Sequence, residues 1–448
     1  MAEQRHTKED LKMMQALPLN LKIRLTEDRI RAWVHEFGEE GVCVSFSGGK
    51  DSTVLLHIVR NLYPKVKAVF SNTGLEYPEI QRFVRGFENT DIIVPEINFR
   101  DVVTQFGYPL IGKEVAEAIY YARKLRGGPR RTGNAENCTV KESGSPGRQT
   151  DGLETQRIAG GAYPLIPTSR AANRRTVLQG RMPEKNGTQG GQYRPRSRRA
   201  GVASGKIGEG GVFSNSADQF GEKSWFNKDK YLPVARDLPV MISHLCCHRL
   251  KKQPAHRYQK KNGYKPFLAT MAEESRVRAQ AWVRTGCNAF EAKDVKSTPM
   301  AFWTEQDVLQ YIVENGLDIA SVYGEIVVKD SDGFEYPATP MTVSCGKLSC
   351  TGCKRTGCIF CGFGFHNEKG ETRFQRLAKT HPRQYEYAIG GGQWIDNPAY
   401  DPTAPKMDGD WQNWNPKKIW VPSDKGLGMG KVFDMVNEIY GKEFYRYG

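Results

Sequence analysis

Apolar positions recur at helical spacing over residues 8–38, where Leu21, Ile23, Ile30, Trp33 and Val34 predict a mostly helical stretch broken near Pro18. The pattern then changes. Val42-Cys43-Val44-Ser45-Phe46 is a short run rich in β-formers, and it opens directly into Ser47-Gly48-Gly49. From Asp51 to Asn61 the helical spacing returns, with Val54, Leu55, Ile58 and Leu62 on one face. Val66 to Phe70 predicts a second strand and Ile92-Ile93-Val94 a third. Strands alternating with helices predict an α/β fold, a parallel sheet covered on both faces.

Between about Arg126 and Lys230 no period survives. Gly, Arg, Ser, Asn and Gln dominate, punctuated by basic runs such as Arg194-Pro195-Arg196-Ser197-Arg198-Arg199. Such a segment buries too little apolar surface to offset its ordering entropy, so loop or disorder is expected for much of it. It reads as an insertion within a domain. The expected organisation is a split domain of residues 1–125 and 231–335, a basic insertion at 126–230, and a region rich in Cys, Gly and Trp at 336–448. Pro266 to Thr270 predicts a further strand, and Thr304-Glu305-Gln306-Asp307 predicts the capped start of a helix.

Composition adds three constraints. The 448 residues carry a formal net charge of +15, a balance that suits phosphate-rich partners. No run of eighteen apolar residues appears, so no membrane span is expected, and the polar opening MAEQRHTKED lacks a secretory h-region. A cytoplasmic location follows as the expectation. Ten cysteines in such a chain argue against a disulfide framework. Their clustering, with five from Cys345 to Cys361 and an adjacent pair at Cys246-Cys247, points to a metal.

The chemistry begins at Ser47-Gly48-Gly49-Lys50-Asp51-Ser52, on the first strand-to-helix junction. Glycines let the backbone approach an anion, and a helix N-terminus offers free N–H groups and a favourable dipole. Ser47 and Ser52 add hydroxyls, Lys50 adds positive charge, and Asp51 can hold Mg2+ or orient a nucleotide. Walker spacing is not met, because Asp51 follows the lysine, which argues against P-loop kinases and motor ATPases. The Ser-Gly-Gly-x-Asp-Ser pattern instead resembles the PP-loop of ATP pyrophosphatases and phosphoadenosine phosphosulfate reductases. That resemblance implies a doubly wound sheet of the adenine nucleotide alpha hydrolase-like kind, and a loop that binds phosphate or pyrophosphate.

Further segments resemble the reductase family in the expected order. Ser71-Asn72-Thr73-Gly74-Leu75-Glu76-Tyr77-Pro78-Glu79 is similar to its Asp-Thr-Gly…Pro-Glu segment, with Asn72 in place of Asp. Glu273-Glu274-Ser275-Arg276-Val277-Arg278 is similar to its Glu-Ser-x-x-Arg neighbourhood. There the resemblance implies an arginine facing the nucleotide, Arg278 or Arg276, whose planar fork suits phosphate oxygens. Pro299 to Ile312 resembles a further stretch and reads as structural, its aromatic and aliphatic residues packing a helix on the sheet.

Cys246-Cys247 followed by Cys358-Ile359-Phe360-Cys361 resembles the [4Fe–4S] ligands of bacterial adenylylsulfate reductases, with Arg249, Lys251, Lys252 and Pro254 similar to the sequence after their Cys pair. Zn2+ is the alternative: Cys350-x-x-Cys353 with Cys358-x-x-Cys361 is an acceptable structural zinc spacing, and Cys353 is an alternative cluster ligand. Cys43 and Cys287 read as core residues. Gly426-x-Gly428-x-Gly430-Lys431 reads as a glycine-rich turn into the last helix, Trp411 and Trp414 as packing, and His366 and His381 as structural.

Three functions fit. The favoured one is ATP-dependent adenylation and sulfur transfer to a nucleic acid, DNA or tRNA, with a sulfur donor as partner and the basic insertion as counter-charge. The second is reduction of adenylylsulfate or phosphoadenylylsulfate to sulfite, with a thiol reductant protein. The family's reductases carry their nucleophile in a C-terminal Glu-Cys-Gly-x-His tail, whereas no cysteine follows Cys361 here. The third is a nucleotide-gated nucleic-acid-binding protein without turnover.

Overall fold

The helical stretch is broken at Pro18, as its pattern predicts. In the computed structural model, which describes residues 6–124, 229–404 and 414–448, α1 (Lys8–Gln15) ends just before Pro18 and α2 (Leu19–Phe37) starts on it. Proline's fixed φ and missing N–H suit a helix start. The basic insertion, with Cys138, lies outside the described residues except at its last two positions, as does Trp411.

The first half of the chain alternates as its pattern predicts: β1 (Val42–Ser45), α3 (Lys50–Leu62), β2 (Lys67–Ser71), α4 (Pro78–Arg85), β3 (Thr90–Ile93), α5 (Phe99–Phe106) and α6 (Lys113–Lys124). After the insertion come α7 (Leu232–Asp237), a five-residue π turn (His248–Lys252), α8 (Gln253–Asn262), β4 (Lys265–Phe267), α9 (Arg276–Thr285), β5 (Asn288–Ala289), β6 (Lys296–Ser297) and α10 (Glu305–Glu314). The six strands form one sheet in the order β3-β2-β1-β4-β6-β5. All neighbours are parallel except β5 with β6. The chain therefore winds outward from β1 to β3, then returns to the other side of β1 with β4. A crevice at such a reversal, outside the carboxyl ends of the strands, is where open α/β sheets bind ligands.

Helices cover the sheet through specific contacts. Trp33 of α2 is fully buried, and its indole N–H donates to the Lys265 carbonyl at 3.3 Å. Lys22, also buried, donates to Asp307 Oδ2 at 2.6 Å. Asp307 simultaneously closes a capping box with Thr304 at the start of α10, at the position the sequence marks.

Beyond α10, β7 (Ile326–Lys329), β8 (Glu335–Pro337) and β9 (Lys347–Cys350) form an antiparallel sheet in the order β8-β7-β9. Next come α11 (Arg373–Thr380), α12 (Pro382–Ile389), the antiparallel pair β10 (Gln393–Asp396) and β11 (Lys418–Val421), and α13 (Met429–Tyr440). One hydrophobic core takes in Leu11, Trp33, Phe267, Phe360, Phe433 and Tyr445. Among the described residues no helix is long and apolar enough to cross a membrane.

The two ends of the insertion are pinned by one side chain. Arg123, on the last turn of α6, spreads its guanidinium over the carbonyls of Val234, Ala235, Leu238 and Val240 at 2.6–3.3 Å. Trp414 lies 4.1 Å from the guanidinium and donates its own N–H to Leu238 O at 2.8 Å.

Candidate active site

The turn between β1 and α3 is tight because Gly48 sits at φ +69, in the left-handed region. A Cβ there would lie 2.6 Å from Val84 Cγ2 and 2.8 Å from Ile80 Cγ2, so α4 packs directly on the bare glycine. Gly49 is the N-cap of α3 and uses no side chain, which leaves the first turn's N–H groups facing the loop. The two serines stabilise the loop itself. Ser47 Oγ and Ser52 Oγ are 3.0 Å apart, Ser47 N–H donates to Ser52 Oγ at 3.2 Å, and Ser52 Oγ donates to Gly49 O at 2.9 Å.

Beside this loop is a cavity of about 370 Å³. Its floor is the carboxyl ends of β1, β2 and β4, through Ser45, Ser71 and Pro266, so it sits at the reversal in strand order. Ser47 and Thr356 stand on the loop side, and Lys252 and His256 on the opposite wall.

Lys50 and Asp51 are not in that wall. Lys50 is buried, its amine 3.2 Å from Glu305 Oε1, 3.6 Å from Asp51 Oδ1 and 3.3 Å from the Lys354 carbonyl. Burial works to lower its pKa, but Asp51 and Glu305 outweigh it and hold Lys50 above its ordinary value. Burial pushes the Asp51 carboxyl up, against the pull of Lys50. Asp51 Oδ1 is enclosed and has no hydrogen-bond partner among the described residues, which suits it to a cation. Arg278 pairs with Glu274, and Arg355 reaches the same carboxylate at 3.6 Å, while Arg276 is exposed. Neither Arg276 nor Arg278 lines the cavity.

Segment 354–357 straps the loop. Thr356 Oγ1 is 2.6 Å from the Tyr323 hydroxyl, which accepts from Lys50 N–H at 3.3 Å. Ile359 N–H then donates to Leu75 O at 2.8 Å. That anchor carries the Cys358–Cys361 turn toward the π turn that follows Cys246-Cys247, and the four thiols Cys246, Cys247, Cys358 and Cys361 line one small cavity with Leu75, Leu250 and Lys251.

The donor set fits an iron–sulfur centre: four cysteines, apolar walls and adjacent cations. Cys246 Sγ and Cys247 Sγ are 4.0 Å apart, and the pair shares its acidity unequally. The Cys246 thiol donates to Cys247, which, with help from Lys113 and Lys251, favours the Cys247 thiolate, while Cys246 holds its proton. Burial pushes Cys358 up to about 11 and raises Cys361 as well. Metal coordination reverses such shifts by deprotonating its thiols outright. At about 10 Å³ the cavity admits about one water-sized probe, so a bound centre would push its walls apart. Among the described residues no three His, Cys, Asp or Glu side chains stand ready around a single ion. Cys350 and Cys353 lie elsewhere: Cys350 is near Lys50 and Asp51, and Cys353 is held by Tyr77 and Arg376.

The two cavities share Lys251, which lines both. Its amine is 3.2 Å from Glu76 Oε1 and also hydrogen-bonds Cys358. Burial works against that charge, yet Cys358 and Glu76 outweigh it and hold Lys251 well above the ordinary lysine value. Glu76 is buried and fixed by Thr73, whose N–H and hydroxyl both donate to it at 2.8–3.0 Å.

Residues 41–102, from the start of β1 into α5, match the phosphoadenosine phosphosulfate reductase domain. That segment, about a seventh of the chain, is similar to the family. No curated protein matches the chain. The phosphoadenosine phosphosulfate reductase family binds adenine nucleotides, and the cavity beside Ser47 is where this fold offers room for one.

Lys251 is the residue whose position sequence reasoning missed. It stands among the basic residues after the Cys pair, but its partner Glu76 is 175 positions away in sequence. Two of the weaker features are structural, while His366 stacks on Phe444 with neither ring nitrogen hydrogen-bonded among the described residues. Gly428 is the left-handed N-cap of α13, and His381 Nε2 lies 3.2–3.3 Å from both Glu79 oxygens.

Proposed function

We propose that this protein activates an oxygen of a nucleic acid with ATP and replaces it with sulfur. The observation that carries the reading is the shared wall: one lysine, Lys251, closes both the nucleotide cavity and the four-thiol cavity. A nucleotide and a sulfur centre this close suit a reaction that uses both in succession.

The backbone N–H groups around Gly48, Gly49 and the first turn of α3 would hold the pyrophosphate, with Ser47 and Ser52 fixing the loop's shape. Asp51 would hold Mg2+ through its enclosed Oδ1, the metal displacing the Lys50 amine that stands 3.6 Å away. In the ground state Lys50 is committed to Glu305 and Asp51, so it keeps the loop charged and folded rather than reaching into the cavity. An acceptor oxygen attacking the α-phosphate releases pyrophosphate and leaves an adenylate, which makes the carbon bearing that oxygen electrophilic; a sulfide-level sulfur from the donor then attacks the carbon and displaces AMP. A [4Fe–4S] centre held by Cys246, Cys247, Cys358 and Cys361 would supply or relay the sulfur. Lys251 offers positive charge between the two sites, and Arg278 with Arg355 would balance charge at the loop's outer side.

The test is product analysis with α-labelled ATP and bulk RNA or DNA. AMP and pyrophosphate in equal amounts, dependent on nucleic acid, are expected. Lys251→Ala should cut that turnover at least about tenfold, the scale of one lost charge-assisted contact, while ATP affinity changes less. ATP left intact, with sulfite formed from adenylylsulfate, would replace this reading with the reductase one.

A further inference from the structure

We infer that α8 and the π turn before it form the docking surface for a single-stranded nucleic acid, which runs outward from the nucleotide cavity. This rests on the nucleic-acid reading above and gives it a place on the fold.

From Leu238 to Ala272 the sequence contains no Asp or Glu, while Lys251, Lys252, Arg257, Lys260 and Lys261 fall within one short stretch. That stretch is the wall of the cavity: Lys252, His256 and Gln259 all line it. Lys252, His256 and Lys260 follow one another at i, i+4 spacing, so they stand on one face of the helix with steps of about 6 Å. The row begins at the cavity and ends in solvent, with Lys252, His256 and Lys260 exposed.

Helix stability accounts for part of this charge only. Lys260 and Lys261 complement the dipole in the last turn, and Gly263 ends the helix in the left-handed conformation. Lys251 and Lys252, just before the first turn, oppose the dipole, and that turn holds no acidic residue. The acids nearby are already engaged. Glu96 pairs with Arg257, Asp91 with Lys67 and the Tyr258 hydroxyl, and Asp294, which faces Lys252 and His256, pairs with Lys296 at 2.7 Å. Among the described residues Lys252, Lys260 and Lys261 have no carboxylate within ion-pair distance. Two unpaired lysines, Lys252 and Lys260, on one helix face with His256 between them and leading into the cavity, match a chain of phosphodiesters. A single strand is required, because a nucleotide stacked inside a duplex cannot enter a cavity at the strand ends.

The test uses the full chain and a fluorescently labelled single-stranded oligonucleotide, titrated by anisotropy over a range of salt. Lys260→Gln with Lys261→Gln leaves the cavity wall intact, so ATP affinity should stay unchanged and serves as the folding control. Oligonucleotide affinity should fall about tenfold, and the slope of log affinity against log salt should become shallower by about 1.4 for two lost phosphate contacts. Unchanged affinity and slope in the double variant would overturn the assignment and place binding on another surface. Equal affinity for polyglutamate would also overturn it, as a mere polyanion effect. A weakened double variant without any AMP formation would keep this surface and remove the thiolation reading. AMP formation with an unaffected double variant would do the reverse.

Discussion

Gly48→Ala should leave a folded protein that no longer retains adenine nucleotide. The left-handed conformation at φ +69 costs a non-glycine residue about 1–2 kcal/mol. The added methyl would also stand 2.6 Å from Val84 and 2.8 Å from Ile80, both buried on α4. Overpacking of this kind costs about 1–3 kcal/mol. The loop can relieve both by swinging away from α4, which withdraws the N–H groups proposed to hold the phosphates. Relief is therefore taken from binding, and a loss of at least about thirtyfold in ATP affinity follows from the lower end of the summed cost. Calorimetric titration reads it directly, and an affinity within threefold of the parent would show that the loop is not the phosphate site.

Removing Arg123 should be the most destabilising single change outside the core. Its guanidinium is buried, with no carboxylate partner among the described residues. Burial lowers its pKa well below the usual guanidinium range, and backbone carbonyls and the Trp414 ring are what stabilise the charge. Arg123→Ala leaves the carbonyls of Val234, Ala235, Leu238 and Val240 short of donors at the point where the chain returns from its insertion. Each unsatisfied buried group costs about 1–3 kcal/mol before relaxation, so a loss of about 3–5 kcal/mol is expected in urea unfolding. Arg123→Lys should recover little, because a single ammonium cannot cover four carbonyls spread across a loop. A loss under about 1 kcal/mol in the alanine variant would mean that water replaces the guanidinium at this junction.

Local rules made much of the fold legible. Pro18, the β1 run into Ser47-Gly48-Gly49, and Thr304 three residues before Asp307 each encode their element with neighbours in sequence, and each stands where expected. The alternation of strands and helices gave the parallel sheet, but not the antiparallel β5, a strand of two residues whose pairing depends on β6 being present. What stayed hidden depends on residues brought together from afar. Lys22, which no motif singles out, is buried against Asp307, 285 positions away. Lys50 reads as a phosphate ligand, whereas its amine is held by Glu305 and Lys354. The same limit applied to the site as a whole: the motifs picked out the glycine loop and the four cysteines, and only the fold shows that the cavity beside the loop and the four-thiol cavity share Lys251 in their walls.

That juxtaposition is the centre of the account, and its metal content tests it most directly. The full chain, purified without oxygen, should contain iron and acid-labile sulfide in equal amounts, about four of each per chain, and Cys358→Ala should lose both. Zinc without sulfide, or a chain with neither metal nor sulfide, would contradict the iron–sulfur centre and with it the sulfur chemistry proposed beside the nucleotide.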